Sequence, residues 1–444
     1  MVSTVKPTAE TQHLPGPKAE ALVARDDRVI SPSYTRSYPF VMDHGKGSEV
    51  WDIDGRRFID FTAGVAVLVA GHAHPAIVEA ITKQAQKYIH MAGTDFYLPE
   101  AVELAETLAR ITPGDYEKQV FFTNSGTESN EAAMKLCHWY TGRPAFISFL
   151  GAFHGRTYGS MSLGSSKALH RTRCQPLLAG VYHAPYPNPY RPPFDVPTER
   201  LGRACVDYIE HTMMKHLVRP DEVAGIFVET IQGEGGYVVP PDDFLPALRD
   251  LCDRYEIPLV ADEVQSGMGR TGKMFAIEHW GVVPDVISMA KGIGGGLPLG
   301  AIVAPKRMMT WPSGAHANTF GGNPVACAAA LATIKLLETE LLANTNEVGA
   351  HMMARLQTWP DRFPIVGEVR GRGLMLGIDL VEDRTTRTPA HDLRDQIVDE
   401  AFHRGLLLLG AGAGAIRLCP PLILTQDLAD EGLTILEDLL AAHS

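Results

Sequence analysis

The sequence predicts an α/β protein: a large domain on a mostly parallel sheet, followed by a smaller α+β domain. Three observations carry this. Between residues 119 and 290, short apolar runs alternate with segments of helical spacing. The runs "AFISF" (145–149), "AGIFVE" (224–229), "IPLVAD" (257–262) and "VISMA" (286–290) are apolar nearly throughout, as strands covered by helices on both faces must be. Beyond residue 330 the pattern changes to a long helix, "LATIKLLETELLA", and then to strand-like "RGRGLMLGIDLV" and "AIRLCPPLIL" around a helix near 391–404.

In chain order, residues 1–20 are polar and contain prolines, and read as an arm or a frayed end. "VWDIDGRRFIDFTAG" reads as two strands around an Asp-Gly turn, then a Gly-rich loop. Residues 76–91 and 99–111 have helical spacing, "QVFFT" (119–123) is a strand, and "ESNEAAMKLCHWY" (128–140) is a helix. The 179–199 stretch carries six prolines and reads as an extended excursion over the surface. The expected division is an N-terminal arm with part of the small domain over 1–70, the large domain over 71–330, and the C-terminal small domain over 331–444.

Composition narrows the function. The formal charge of −12 argues against nucleic acid or an anionic membrane as partner, since both need a basic surface. No apolar run reaches about 18 residues, and the first 22 residues lack the apolar core of a secretory signal. The six cysteines lie far apart with no CxxC pair, which suits free thiols in a reducing compartment rather than disulfides or zinc. A cytoplasmic globular enzyme is expected, with no metal.

The chemistry lies at strand ends, where loops diverge in such sheets. "FFTNSGTESNEAA" gives a strand, a turn and a helix start, so Ser125, Gly126 and Thr127 offer an anion pocket or simply a helix cap. Asp262 ends one apolar strand, where a carboxylate is costly without a cation or donors; a structural salt bridge is the alternative. Lys291 follows the next strand and precedes "GIGGG"; it is a solvated strand-end lysine unless these neighbours share its cleft. Phe153, His154 and Arg156 lie beyond the 145–149 strand. An anion pocket, a flat aromatic, a carboxylate and a lysine together suggest pyridoxal 5′-phosphate, with the glycines letting the backbone pass close to it.

Together with "GHAHP" (71–75), "NSGTESNEAAMK" (124–135), "FHGRT" (153–157), "IQGEGG" (231–236), "ADEVQSGMGRTG" (261–272), "AKGIGGGLPLGA" (290–301) and "TFGGNPVACAA" (319–329), the chain resembles the class III aminotransferases, pyridoxal-phosphate enzymes of the aspartate-aminotransferase fold. The resemblance implies roles residue by residue. Lys291 matches the Schiff-base lysine, Asp262 the partner of the pyridine nitrogen, and Gln265 the residue that meets the ring hydroxyl. Phe153 matches the ring-stacking position, and Ser125, Gly126 and Thr127 the phosphate turn. Thr319 matches the residue that reaches the phosphate from a neighbouring subunit, which implies a homodimer or a dimer of dimers.

Two other signals are weighed. "LLLLGAGAGAIRL" (406–418) carries G-x-G-x-x-A after an apolar run, but Pro420-Pro421 block the helix that a dinucleotide site requires. His72 and His74 have no acidic or cysteine companion in sequence and read as a structural loop rather than metal ligands.

For the substrate, the resemblance points to Glu234 and Arg417 as a switching pair that admits both an ω-amino donor and a 2-oxo acid acceptor. Arg156, expected deep in the site, matches a position that binds the distal carboxylate of 4-aminobutyrate, although acetylornithine transaminases share "FHGRT". Val65 stands where ornithine transaminases have a tyrosine. The stretches around Val65 and "TDFY" resemble a branch holding both broad-specificity 4-aminobutyrate transaminases and amino-acid racemases. The expected reaction is transamination of a 4-aminobutyrate-like donor with 2-oxoglutarate.

Overall fold

A computed structural model describes residues 14–444. The expected arm therefore falls mostly outside the described residues; within them, a helix already starts at Pro17 and runs to Val29.

The centre of the molecule is a seven-stranded sheet. Its spatial order is 118–123, 300–305, 286–289, 259–262, 223–229, 145–149, 181–184. Only Gly300–Pro305 runs against the others, pairing antiparallel on both sides; the remaining neighbours pair in parallel. The four strands 145–149, 223–229, 259–262 and 286–289 are buried at every position, so side chains of both faces must be apolar or internally bonded. Because these strands share a direction, their carboxyl ends open at one edge. Asp262 pairs with Glu229 on one side and with Ser288 on the other.

Two smaller sheets flank this one. Strands 42–46, 49–52 and 57–60 form a meander, and residues 406–407 add to it in parallel, so the beginning and end of the chain share a sheet. The other has the order 366–372, 375–383, 415–418, 409–411. A helical rod joins the large sheet to this region, running from Pro324 through a π-helical turn at Leu337–Leu341 to Leu356.

Three sequence expectations need adjustment. The 179–199 stretch is not purely a surface excursion: Val181–Ala184 is the edge strand of the large sheet, and Tyr186 is buried, donating its hydroxyl to the carbonyls of Glu229 and Thr230. An edge strand exposes part of its side chains, so "VYHA" lacks the apolar run that marks a central one. The long helix begins at Pro324 rather than near 330, because Asn323 accepts from the Val325 and Ala326 amides and proline suits the first turn. The helix expected over 76–91 stops at Lys87.

Candidate active site

Four strand ends and one helix start converge on a cavity of about 410 Å³. Ser125, Gly126, Thr127, Phe153, Asp262, Gln265 and Lys291 all line it. Lys291 follows the buried 286–289 strand at its floor, with φ of +49°, a conformation costly for a residue with a side chain. Burial and the charge of Arg417 push its amine below the usual lysine range, against the pull of Asp262 and Glu229.

Asp262 is held on both oxygens. Oδ2 accepts from Asn130 Nδ2 at 2.8 Å and pairs with His154 Nδ1 at 2.8 Å, while Oδ1 accepts from the Val264 amide at 3.0 Å. Burial alone would lower the His154 pKa, but the hydrogen bond and charge of Asp262 raise it, with Glu229 adding to the effect. His154, itself fully buried, packs behind Asp262 and fixes the direction of its carboxylate. Glu229 is buried nearby and accepts from the amides of Phe153 (3.0 Å) and Gly233 (3.0 Å). Desolvation pushes its carboxyl up to about 7.

The helix Gly126–Thr141 starts at the cavity wall, with Ser125 accepting from the Glu128 amide at 3.3 Å. Thr127 Oγ1 bonds Thr157 Oγ1 at 2.7 Å. The expected helix cap is present at Ser125, and Gly126 and Thr127 of the same turn line the cavity. Gly155 allows the close approach. It has φ of +133°, and a Cβ there would meet Thr127 Oγ1 at 2.2 Å. Gly233 similarly passes where a Cβ would lie 2.4 Å from Gln265 Nε2. Gln265 Oε1 accepts from the buried Tyr237 hydroxyl at 2.9 Å, which turns its amide nitrogen away from Tyr237.

Glu234 and Arg417 meet beside this cavity, Arg417 Nη1 donating to Glu234 Oε2 at 3.2 Å. The glycines of "GAGAG" explain how they come together. The segment is a hairpin, Leu409–Ala411 against Ala415–Leu418, not the start of a βαβ unit. The Gly412 amide donates to the Glu234 carbonyl at 2.7 Å, and a Cβ on Gly412 would lie 2.6 Å from the Gly235 carbonyl oxygen. Burial works against ionisation of Glu234, yet Arg417 and Lys167 hold its carboxyl below the usual range.

Three further expected residues also lie outside this cavity. Arg156 is exposed, not deep: its Nη2 sits 3.3 Å from His170 Nε2 and its guanidinium is 5.8 Å from the Phe153 ring centre. Val65 is 39% exposed in a left-handed turn, and Val67 lines the cavity instead. Thr319 and its neighbour Phe320 are exposed. His72 pairs with Asp60 at 2.8 Å and His74 caps the helix from Pro75, so both are engaged structurally.

The profile of the aminotransferase class-III family matches residues 30–440. The chain belongs to that family. Class-III aminotransferases depend on pyridoxal phosphate, and the helix start at the cavity wall, the doubly anchored Asp262, the floor lysine and the glycine-lined walls fit that cofactor. Among relatives, this aminotransferase is 39% identical over 432 residues to the alanine/serine racemase of Pyrococcus horikoshii, covering 95% of this chain and 90% of that protein. It is 37% identical over 420 residues to the probable 4-aminobutyrate aminotransferase of Bacillus subtilis, covering 94% and 96%. An amine transaminase from an uncultivated Pseudomonas species, solved with pyridoxal phosphate bound, superposes with a TM-score of 0.86 at 34% identity, covering 93% of this chain and 98% of that one.

Several groups at the site escaped the sequence reading. Glu229 had a signal, since it closes the apolar run "AGIFVE" as Asp262 closes "IPLVAD". Asn130, Tyr237 and Lys167 had none, because their partners lie 132, 28 and 67 residues away.

Proposed function

We propose that this enzyme moves the amino group of an ω-amino acid of the 4-aminobutyrate type to 2-oxoglutarate, giving a semialdehyde and glutamate. The observation that carries the reading is the Glu234–Arg417 pair at 3.2 Å beside Lys291. An ω-amino donor has no carboxylate on the reacting carbon, so Arg417 stays on Glu234. 2-Oxoglutarate carries one there, and Arg417 turns to it in a charge-assisted pair. Both states leave Arg417 paired, which a buried guanidinium requires.

When bound, pyridoxal phosphate supplies an electron sink for charge developing on the reacting carbon. Asp262, held by Asn130, His154 and the Val264 amide, keeps a proton on the ring nitrogen. Gln265 would donate to the ring hydroxyl and Phe153 would pack on the ring, both side chains lining the cavity. Ser125, Gly126 and Thr127 hold the phosphate, with Thr319 of a second subunit completing it in a homodimer. Lys291 would hold the cofactor covalently, and its amine at the cavity floor would serve as the base and acid that moves a proton at the reacting carbon. Its lowered pKa supports that role. Val65 leaves the mouth apolar, and Arg156 receives the donor's distal carboxylate by swinging inward from His170. A cytoplasmic setting suits the unpaired cysteines.

A second reading is racemisation of an α-amino acid on the same residues, favoured by the alanine/serine racemase among the relatives. There the proton returns to the α-carbon and no amino group leaves. An amino-donor panel with 2-oxoglutarate decides between them, following glutamate formation and the chirality of the remaining donor. Glutamate formed from 4-aminobutyrate supports the proposal. Racemised α-amino acid without glutamate replaces it with the second reading.

A further inference from the structure

Glu234 holds two cations at once. Arg417 Nη1 lies 3.2 Å from Oε2, and Lys167 Nζ lies 2.9 Å from the other oxygen, Oε1. The two cations differ in setting. The Arg417 side chain is 9% exposed, whereas that of Lys167 is 42% exposed at the rim. Lys167 directly precedes the short helix Ala168–Arg171, whose His170 also faces Glu234 and touches Arg156.

We propose that Lys167 is a specificity-determining residue: it neutralises Glu234 whenever Arg417 leaves for the carboxylate on a substrate's reacting carbon. The inference rests on the switching role of Glu234 and Arg417. A two-membered switch has an asymmetry. In the donor state both charges are paired, but in the acceptor state Arg417 gains the substrate and Glu234 is left as a half-buried carboxylate with no cation. That cost would be charged against every α-carboxylate substrate. Lys167 removes it, because its bond is on the oxygen that Arg417 does not use and survives the swing. A flexible lysine stem also lets the ammonium follow Glu234 if the carboxylate relaxes. His170 is a poorer partner: its ring nitrogens lie 3.3 Å from Arg156 Nη2 and 3.3 Å from Ser166 Oγ, and burial and the charge of Arg156 push its pKa down.

The test uses the cofactor-loaded enzyme and Lys167→Met, with Lys167→Arg as the rescue. Each half-reaction is measured alone: the resting enzyme with 4-aminobutyrate and with 1-phenylethylamine, an amine carrying no carboxylate, and the amino-loaded enzyme with 2-oxoglutarate. Glutarate binding to the loaded enzyme is measured in parallel by calorimetry. Lys167→Met is expected to raise the KM for 2-oxoglutarate and the Kd for glutarate about three- to tenfold. The donor half-reaction should be unchanged or slightly faster, and Lys167→Arg should restore the wild-type ratio. A Lys167→Met enzyme whose two half-reactions fall together, or whose ratio is unmoved, overturns this inference alone. A wild type that accepts neither amine overturns the switch and this inference with it.

Discussion

Replacing Asp262 with asparagine tests how the strand end holds its charge. The carboxylate is 4% exposed and receives three donors, two on Oδ2 and one on Oδ1. An amide must set its NH₂ against one of these oxygens' donors. Facing Asn130 and His154 would strand two donors, so the amide nitrogen goes to the Oδ1 side and strands the Val264 amide. An unpaired buried donor costs about 1–3 kcal/mol. The bonds from Asn130 and His154 also lose their charge assistance, and His154 loses the main influence raising its pKa. The cofactor-free protein should therefore lose roughly 2–4 kcal/mol of stability yet stay folded. In the loaded enzyme, removing an adjacent opposite charge shifts a basic group by about 1–3 pKa units. At about 1.4 kcal/mol per unit, the half-reaction should slow by roughly 10- to 1,000-fold. Thermal unfolding of the cofactor-free protein and single-turnover rates at full cofactor occupancy give the two numbers. A rate within threefold of wild type would refute the reasoning, because the ring nitrogen would then need no carboxylate.

Glu229→Gln should change the pH dependence of stability. The Glu229 pKa is raised to about 7 from 4.5, so the folded state binds the proton more tightly than the unfolded one. Its contribution is full below pH 4.5 and is lost as pH rises through about 7; His154, also raised, acts in the same direction. Between pH 5 and 8 the wild type should lose about 2.5 kcal/mol relative to Glu229→Gln, and parallel Tm curves for the two proteins would contradict this. Gly155→Ala should weaken cofactor binding by at least about fivefold, since the new methyl group meets Thr127 Oγ1 at 2.2 Å in a backbone conformation that disfavours it. Equilibrium titration of the cofactor-free protein by absorbance checks this, and unchanged affinity would mean that Thr127 moves away without consequence.

How much of this was legible in the sequence follows from the range of the interactions. The buried strands were readable because parallel sheet covered on both faces demands unbroken apolar runs, and Asp262 and Lys291 stood out as charges ending such runs. The edge strand 181–184 was not, because its half-exposed residues sit among prolines. The glycines at 410–414 matched a dinucleotide motif that Pro420-Pro421 already ruled against, and what they do instead shows only in the contact of Gly412 with the Glu234 loop. The network behind Asp262 and the second cation on Glu234 arise from residues brought together by the fold, and no local pattern announces them. Arg156 shows the opposite failure: its motif suggested depth, whereas its side chain lies exposed against His170.

The central claim is that Glu234 and Arg417 switch between two substrates. Glu234→Ala tests it most directly, with the two half-reactions measured separately. Without its carboxylate partner Arg417 stays free to meet a substrate carboxylate, so the reaction of the amino-loaded enzyme with 2-oxoglutarate should remain near wild type. The reaction with 4-aminobutyrate should fall by roughly 10- to 150-fold, the value of a charge-assisted bond of about 1.5–3 kcal/mol. Equal loss in both half-reactions would contradict the account, because Glu234 would then hold the site together without choosing between substrates.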